Sequence, residues 1–146
     1  METMEKVKTT KTINATKGEF VNLINGLFQV QELKGKEFSL SVGKNISIIR
    51  DSLKDLEEAG KPSEEFMELA NTVNNLANEN KEDSKEQIES LEKENEELVK
   101  SRREQMDSVT KMMEDSIEIE LHTLIEECLP EDITAKQINS IIKIIV

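Results

Sequence analysis

Apolar residues fall at helical spacing in four stretches of the chain and alternate in two, and this pattern predicts most of the elements. Val7 to Ile13 alternates and is rich in Thr, which predicts a short edge strand. Thr16 and Glu19 then stand at capping-box spacing, where hydroxyl and carboxylate satisfy orphan amides reciprocally. Phe20, Leu23, Ile24, Leu27, Phe28 and Leu33 share one face of the helix that follows, and Lys34-Gly35-Lys36 ends it. Phe38, Ser39 and Leu40 read as an extended link.

A second helix is expected from Ser41, with Val42, Ile46, Ile49, Leu53 and Leu56 forming a single stripe. Gly60-Lys61-Pro62 interrupts it, Ser63 offers a cap for a restart, and apolar spacing resumes at Phe66, Leu69, Ala70, Val73, Leu76 and Ala77. Residues 78–84 are polar and turn-like, and Ser84 with Gln87 has capping-box spacing. Lys85 to Asp115 contains neither Gly nor Pro. Its stripe of Ile88, Leu91, Leu98, Val109 and Met112 is interrupted by Asn95, Arg102 and Gln105. Glu89–Lys93, Glu96–Lys100 and Asp107–Lys111 lie at i,i+4, each worth about 0.2–0.5 kcal/mol if closed. At the helical rise, 41–80 and 85–115 would span about 60 Å and about 45 Å. Antiparallel pairing would cover most of both, so Gly60-Lys61-Pro62 is read as a kink, with a corner as the other possibility.

Ile117, Ile119 and Leu121 alternate with Glu118, Glu120 and His122, predicting a half-buried strand. After the turn at Leu129-Pro130-Glu131-Asp132, Thr134 and Gln137 cap a closing helix carrying Ile138, Ile141, Ile142 and Ile145. The expected fold class is α+β and predominantly helical. A long antiparallel helical hairpin (41–115) would project from a head of two short strands and two short helices (1–40 and 116–146), all within one domain.

Composition narrows the function. The 146 residues are 36% apolar and 34% charged, with no Trp or Tyr, which suits largely solvated helices. The net charge of −12 divides as +2 over residues 1–46, −16 over 47–132 and +2 over 133–146. Such acidity repels phosphate, so no direct nucleic-acid binding is expected; it suits a basic partner surface. No apolar run approaches the ~20 residues of a membrane span, and no apolar stretch follows the first lysines as in a secretory leader. The single cysteine, Cys128, allows no internal disulfide, and the chain reads as intracellular.

Chemistry is sparse. His122 is the one histidine, sharing a strand face with Glu118 and Glu120, and an exposed strand residue is the plainer reading. Cys128 has no basic cluster near it in sequence and reads as an ordinary thiol. Glu126, Glu127, Glu131 and Asp132 are dense but lack the glycine-bearing spacing of a calcium loop. A metal-dependent hydrolase at that cluster is the weakest of the readings kept. The five glycines form no phosphate-cradling loop. No catalytic residue, cofactor or metal ligand is assigned, and no enzyme is expected.

The pieces Asn25-Gly26-Leu27, Gly43-Lys44-Asn45-Ile46 and Ile119-Glu120-Leu121-His122, in this order of elements, resemble a group of small phage-encoded proteins of uncharacterised function. The resemblance implies a phage origin and a non-enzymatic role, and it transfers no functional residue. The expected function is protein–protein interaction, as a virion component or an assembly or accessory factor. Partners would be a second copy of the chain or a phage or host protein. Asn95, Arg102 and Gln105 on the stripe, which can specify register, and Ile141, Ile142 and Ile145 in the tail are the candidate contact residues. The alternative is an acidic inhibitor of a host nucleic-acid-handling or defence protein, ranked second because so many acids have a lysine at i+4.

Overall fold

The computed structural model describes residues 10–79 and 81–146. Two strands pair antiparallel, β1 (Thr10–Thr16) with β2 (Ser116–His122), in a register from Thr10 opposite His122 to Thr16 opposite Ser116. Seven helices complete the elements: α1 (Lys17–Val30), α2 (Lys36–Ser52), α3 (Lys54–Ala59), α4 (Glu64–Glu79), α5 (Ser84–Glu94), α6 (Glu96–Met113) and α7 (Ala135–Ser140). The chain is α+β and predominantly helical. No helix among the described residues is long and apolar enough to cross a membrane. The expected strand at Val7–Ile13 begins at Thr10 and runs on to Thr16, burying Ile13 and Ala15; Val7 to Thr9 lie outside the described residues.

Contacts divide the chain into two compact units, residues 1–55 with 112–146 and residues 56–111. Residues 41–55, grouped by sequence with the long helices, thus cluster with the strands and the terminal segment. In this first unit, Phe20, Leu23, Leu27 and Val30 of α1 meet a core to which α2, the sheet and the C-terminal segment also contribute. Thr16 caps α1 with the complete reciprocal box: Glu19 N–H donates to its hydroxyl at 3.1 Å, and Thr16 N–H donates to the Glu19 carboxylate at 3.3 Å.

Lys143 Nζ lies 3.0 Å from the same Glu19 carboxylate. Its hydrogen bond first, then the Thr16 amide and the lysine's charge, hold the Glu19 carboxyl below its ordinary value of 4.5. A carboxyl with a lowered folded-state pKa stabilises the fold above the unfolded value and loses that contribution as pH falls through the folded one. Acidification below 4.5 is therefore expected to lower the melting temperature of the native chain more steeply than that of Glu19→Gln. Parallel pH profiles of the two would show that this linkage is absent.

Phe38, Ser39 and Leu40 are helical, not an extended link. Gly35 supplies the N-cap at φ 142°, a conformation costly for any side chain, and nothing after it breaks the helix. The stripe that α2 buries is consequently Phe38, Val42, Asn45 and Ile49, with Asn45 where Ile46 was expected. On the exposed side Gly43 has no atom within 4 Å of where a Cβ would sit. Gly43→Ala should stabilise the chain by about 0.5–1 kcal/mol, from helix propensity alone. Urea denaturation measures it, and a destabilised variant would mean that this face is occupied.

The two long helices are five. Leu53 and Asn95 leave helical geometry (φ −103°, ψ 16° and φ −110°, ψ 30°), yet each N–H still reaches the carbonyl four residues back. The Ser52 hydroxyl bonds the Ile48 carbonyl and the Asn95 amide bonds that of Leu91, side-chain competition that loosens helices. The break at residues 60–63 restarts on Ser63, whose hydroxyl accepts from Phe66 N–H at 3.2 Å. At α5 the expected Ser84–Gln87 box does not form. Asp83 takes the N-cap position without a side-chain cap bond, and the Ser84 hydroxyl accepts from Lys81 N–H instead. The Thr134–Gln137 box does form.

The closing helix stops at Ser140. β-Branched residues crowd the last six positions, and the chain passes through a 3-10 turn, Ile142–Ile144, into an extended end. There Leu124 N–H donates to Ile144 O at 2.7 Å and Val146 N–H to Leu124 O at 2.9 Å.

Candidate interaction surface

Within residues 56–111 the apolar stripe is only partly covered. Leu56, Leu69 and Val109 are its buried hydrophobic residues, while Phe66, Val73, Leu76, Ile88, Leu91 and Leu98 stay half-exposed. Met67 and Met106 are exposed outright. A pair of helices can bury one narrow stripe, and lone helices of this length are marginal in water.

The polar residues of the stripe hold the break in α3–α4 together. Ending a helix leaves carbonyls without partners. Gln105 Nε2 donates to Ala59 O at 2.8 Å and to Lys61 O at 2.7 Å, and Arg102 Nη1 donates to Gly60 O at 2.8 Å. The same guanidinium nitrogen donates to Gln105 Oε1 at 2.8 Å, and the group sits 5.5 Å from the Phe66 ring centre. Asn95, Arg102 and Gln105, expected to face a partner, are thus engaged within the chain: Asn95 with its own helix, the other two with the break.

Three adjoining hollows of about 460, 560 and 390 Å³ run along α4, α5 and α6, two of them lined by Asn95. Leu76 and Leu91 line the first, Leu98 the second, and Leu69, Leu91 and Leu98 the third. Leu91 and Glu94 tie the first to the others, and Glu65, Asn95 and Leu98 are common to the second and third. Seven carboxylates line them against one lysine, Lys93. The chain as a whole has 31 acids to 19 Lys and Arg, so the surface is acidic beyond the average. Among the described residues none of the pairs Glu89–Lys93, Glu96–Lys100 and Asp107–Lys111 closes to an ion pair.

The tail residues divide. Ile141 is fully buried in the core, Ile145 is half-buried beside its bridge to Leu124, and Ile142 is exposed. Ile141 is therefore a core residue and not a contact candidate.

Sequence reasoning missed a second place. The N-terminal half of α2 and the end of β2 enclose a cavity of about 290 Å³, lined by Lys36, Leu40, Lys44, His122, Ile125 and Cys128 among others. The Cys128 thiol donates to Glu37 Oε2 across 2.8 Å. His122 is half-buried, and the Asn45 side chain bonds both polar groups of its backbone. Asn45 Nδ2 donates to His122 O at 2.9 Å, and His122 N–H donates to Asn45 Oδ1 at 2.8 Å. The one available signal is a polar residue, Asn45, three residues after Val42 and four before Ile49 on the same helical face. Glu126, Glu127, Glu131 and Asp132 are all exposed, and among the described residues no three His, Cys, Asp or Glu groups converge as metal ligands would.

Comparison with protein-family models, with curated proteins and with solved structures finds no match.

Proposed function

We propose that this chain is a non-enzymatic interaction protein of phage type, a virion component or an assembly or accessory factor. The observation that carries the reading is the stripe of residues 56–111, in which Phe66, Val73, Leu76, Ile88, Leu91 and Leu98 stay half-exposed and only Leu56, Leu69 and Val109 are buried among the described residues. Apolar surface in a continuous groove is characteristic of a contact made with another molecule. Size exclusion coupled to light scattering, with co-purification from phage-infected cells, tests it. A stable oligomer or a partner retained by the native chain and lost with Leu98→Lys is expected. A strict monomer that retains nothing contradicts the reading.

The open i,i+4 pairs favour a second reading, an acidic block of a basic site on a host nucleic-acid-handling or defence protein, because those carboxylates are left unneutralised. Duplex DNA would then displace the retained partner.

A further inference from the structure

We infer that the three hollows along α4, α5 and α6 form a docking surface for a basic amphipathic helix of another protein. The inference rests on the interaction reading above and adds the chemistry of the occupant. Leu69, Leu76, Leu91 and Leu98 give the surface an apolar floor, and Glu65, Glu68, Asp83, Glu86, Glu94, Glu96 and Glu97 give it a rim. An amphipathic helix meets such a surface with apolar residues at i, i+3, i+4 and i+7, and lysines or arginines flanking them would answer the rim. Residues 65–76 of α4, which bound the hollows, cover about 16 Å, or three helical turns. On the other side residues 83–101 of α5 and α6 extend over about 27 Å, the length of an 18-residue helix.

Charge decides between this occupant and a second copy. Residues 56–111 hold sixteen carboxylates against eight Lys and Arg, a net −8. Two copies would bring like-charged seams together, whereas a basic helix neutralises the rim as it covers the floor. Membrane headgroups and nucleic acid are disfavoured on the same ground.

The test titrates the full chain into a fluorescently labelled 18-residue Leu/Lys amphipathic peptide. A scrambled peptide of the same composition and a Leu/Glu counterpart serve as controls, at low and high salt. The amphipathic basic peptide should bind at least tenfold more tightly than either control, and weaken as salt is added. Reversing two rim charges, Glu65→Lys with Glu94→Lys, should weaken it a further tenfold. The same change in net charge placed elsewhere, Glu118→Lys with Glu131→Lys, should cost less than threefold. All four are exposed carboxylates, so folding is retained, and circular dichroism verifies it. Equal binding of the scrambled peptide, equal effects of the two charge reversals, or no binding overturns the inference. A stable dimer that ignores the peptide also overturns it, while leaving the interaction reading intact.

Discussion

Asn45→Asp is expected to destabilise the chain by about 3–5 kcal/mol at neutral pH, the cost of an uncompensated buried charge. Asn45 is fully buried, and its amide satisfies both the N–H and the carbonyl of His122. An aspartate keeps the acceptor for the N–H but replaces the donor with a second oxygen, facing the His122 carbonyl. Asn45→Ala removes both bonds and leaves two backbone groups unpaired, without adding charge, so it should cost less, about 2–3 kcal/mol. The pH response separates the two. Burial raises the introduced carboxyl's folded-state pKa, so Asn45→Asp should regain stability as pH falls, when the protonated acid again donates to His122. Urea denaturation at neutral and at mildly acidic pH measures both effects. If Asn45→Asp tracked Asn45→Ala at both, the side chain would not be bridging the strand end.

Gly26→Ala should cost about 1–3 kcal/mol, the range for overpacking a filled interior. A Cβ at this position would lie 2.6 Å from the carbonyl oxygen of Ser140 and 2.9 Å from its Cβ and Oγ. The nearest obstacle is backbone at the end of α7, so accommodating a methyl means shifting the helix off α1. That loss exceeds the gain of up to about 1 kcal/mol from replacing a helical glycine. The opposite sign expected at Gly43, where a Cβ meets nothing, makes the pair a controlled comparison. If Gly26→Ala proves as stable as the native chain, α7 does not close on α1 as described.

What could be read beforehand was short in range. The boxes at Thr16–Glu19 and Thr134–Gln137 need only residues three apart, and both form. The same spacing at Ser84–Gln87 fails because Asp83 takes the capping position and Ser84 turns back to Lys81. Alternation placed β2, since one face of it rests on the core. The apolar pattern of this helix points to Ile46, and Asn45 beside it carries no apolar signal. What makes an asparagine belong there is the end of a strand 77 residues further on. Arg102 and Gln105 stand out in the sequence as polar residues in an apolar stripe. Their role depends on unpaired carbonyls at Ala59, Gly60 and Lys61, which exist only once the break is folded against α6. The cavity between α2 and β2 was illegible for the same reason: its walls come from distant segments.

Among the described residues, the apolar stripe of residues 56–111 stays only partly covered. Hydrogen exchange in the full-length protein, read residue by residue, tests it most directly. Amides of α4, α5 and the start of α6 should exchange faster than those of α1, α2 and β2, because few of their apolar side chains are buried. Adding the basic amphipathic peptide should slow exchange in the first group and leave the second unchanged. A monomeric chain whose two units are equally protected, and which gains no protection with the peptide, would mean that the stripe is already covered.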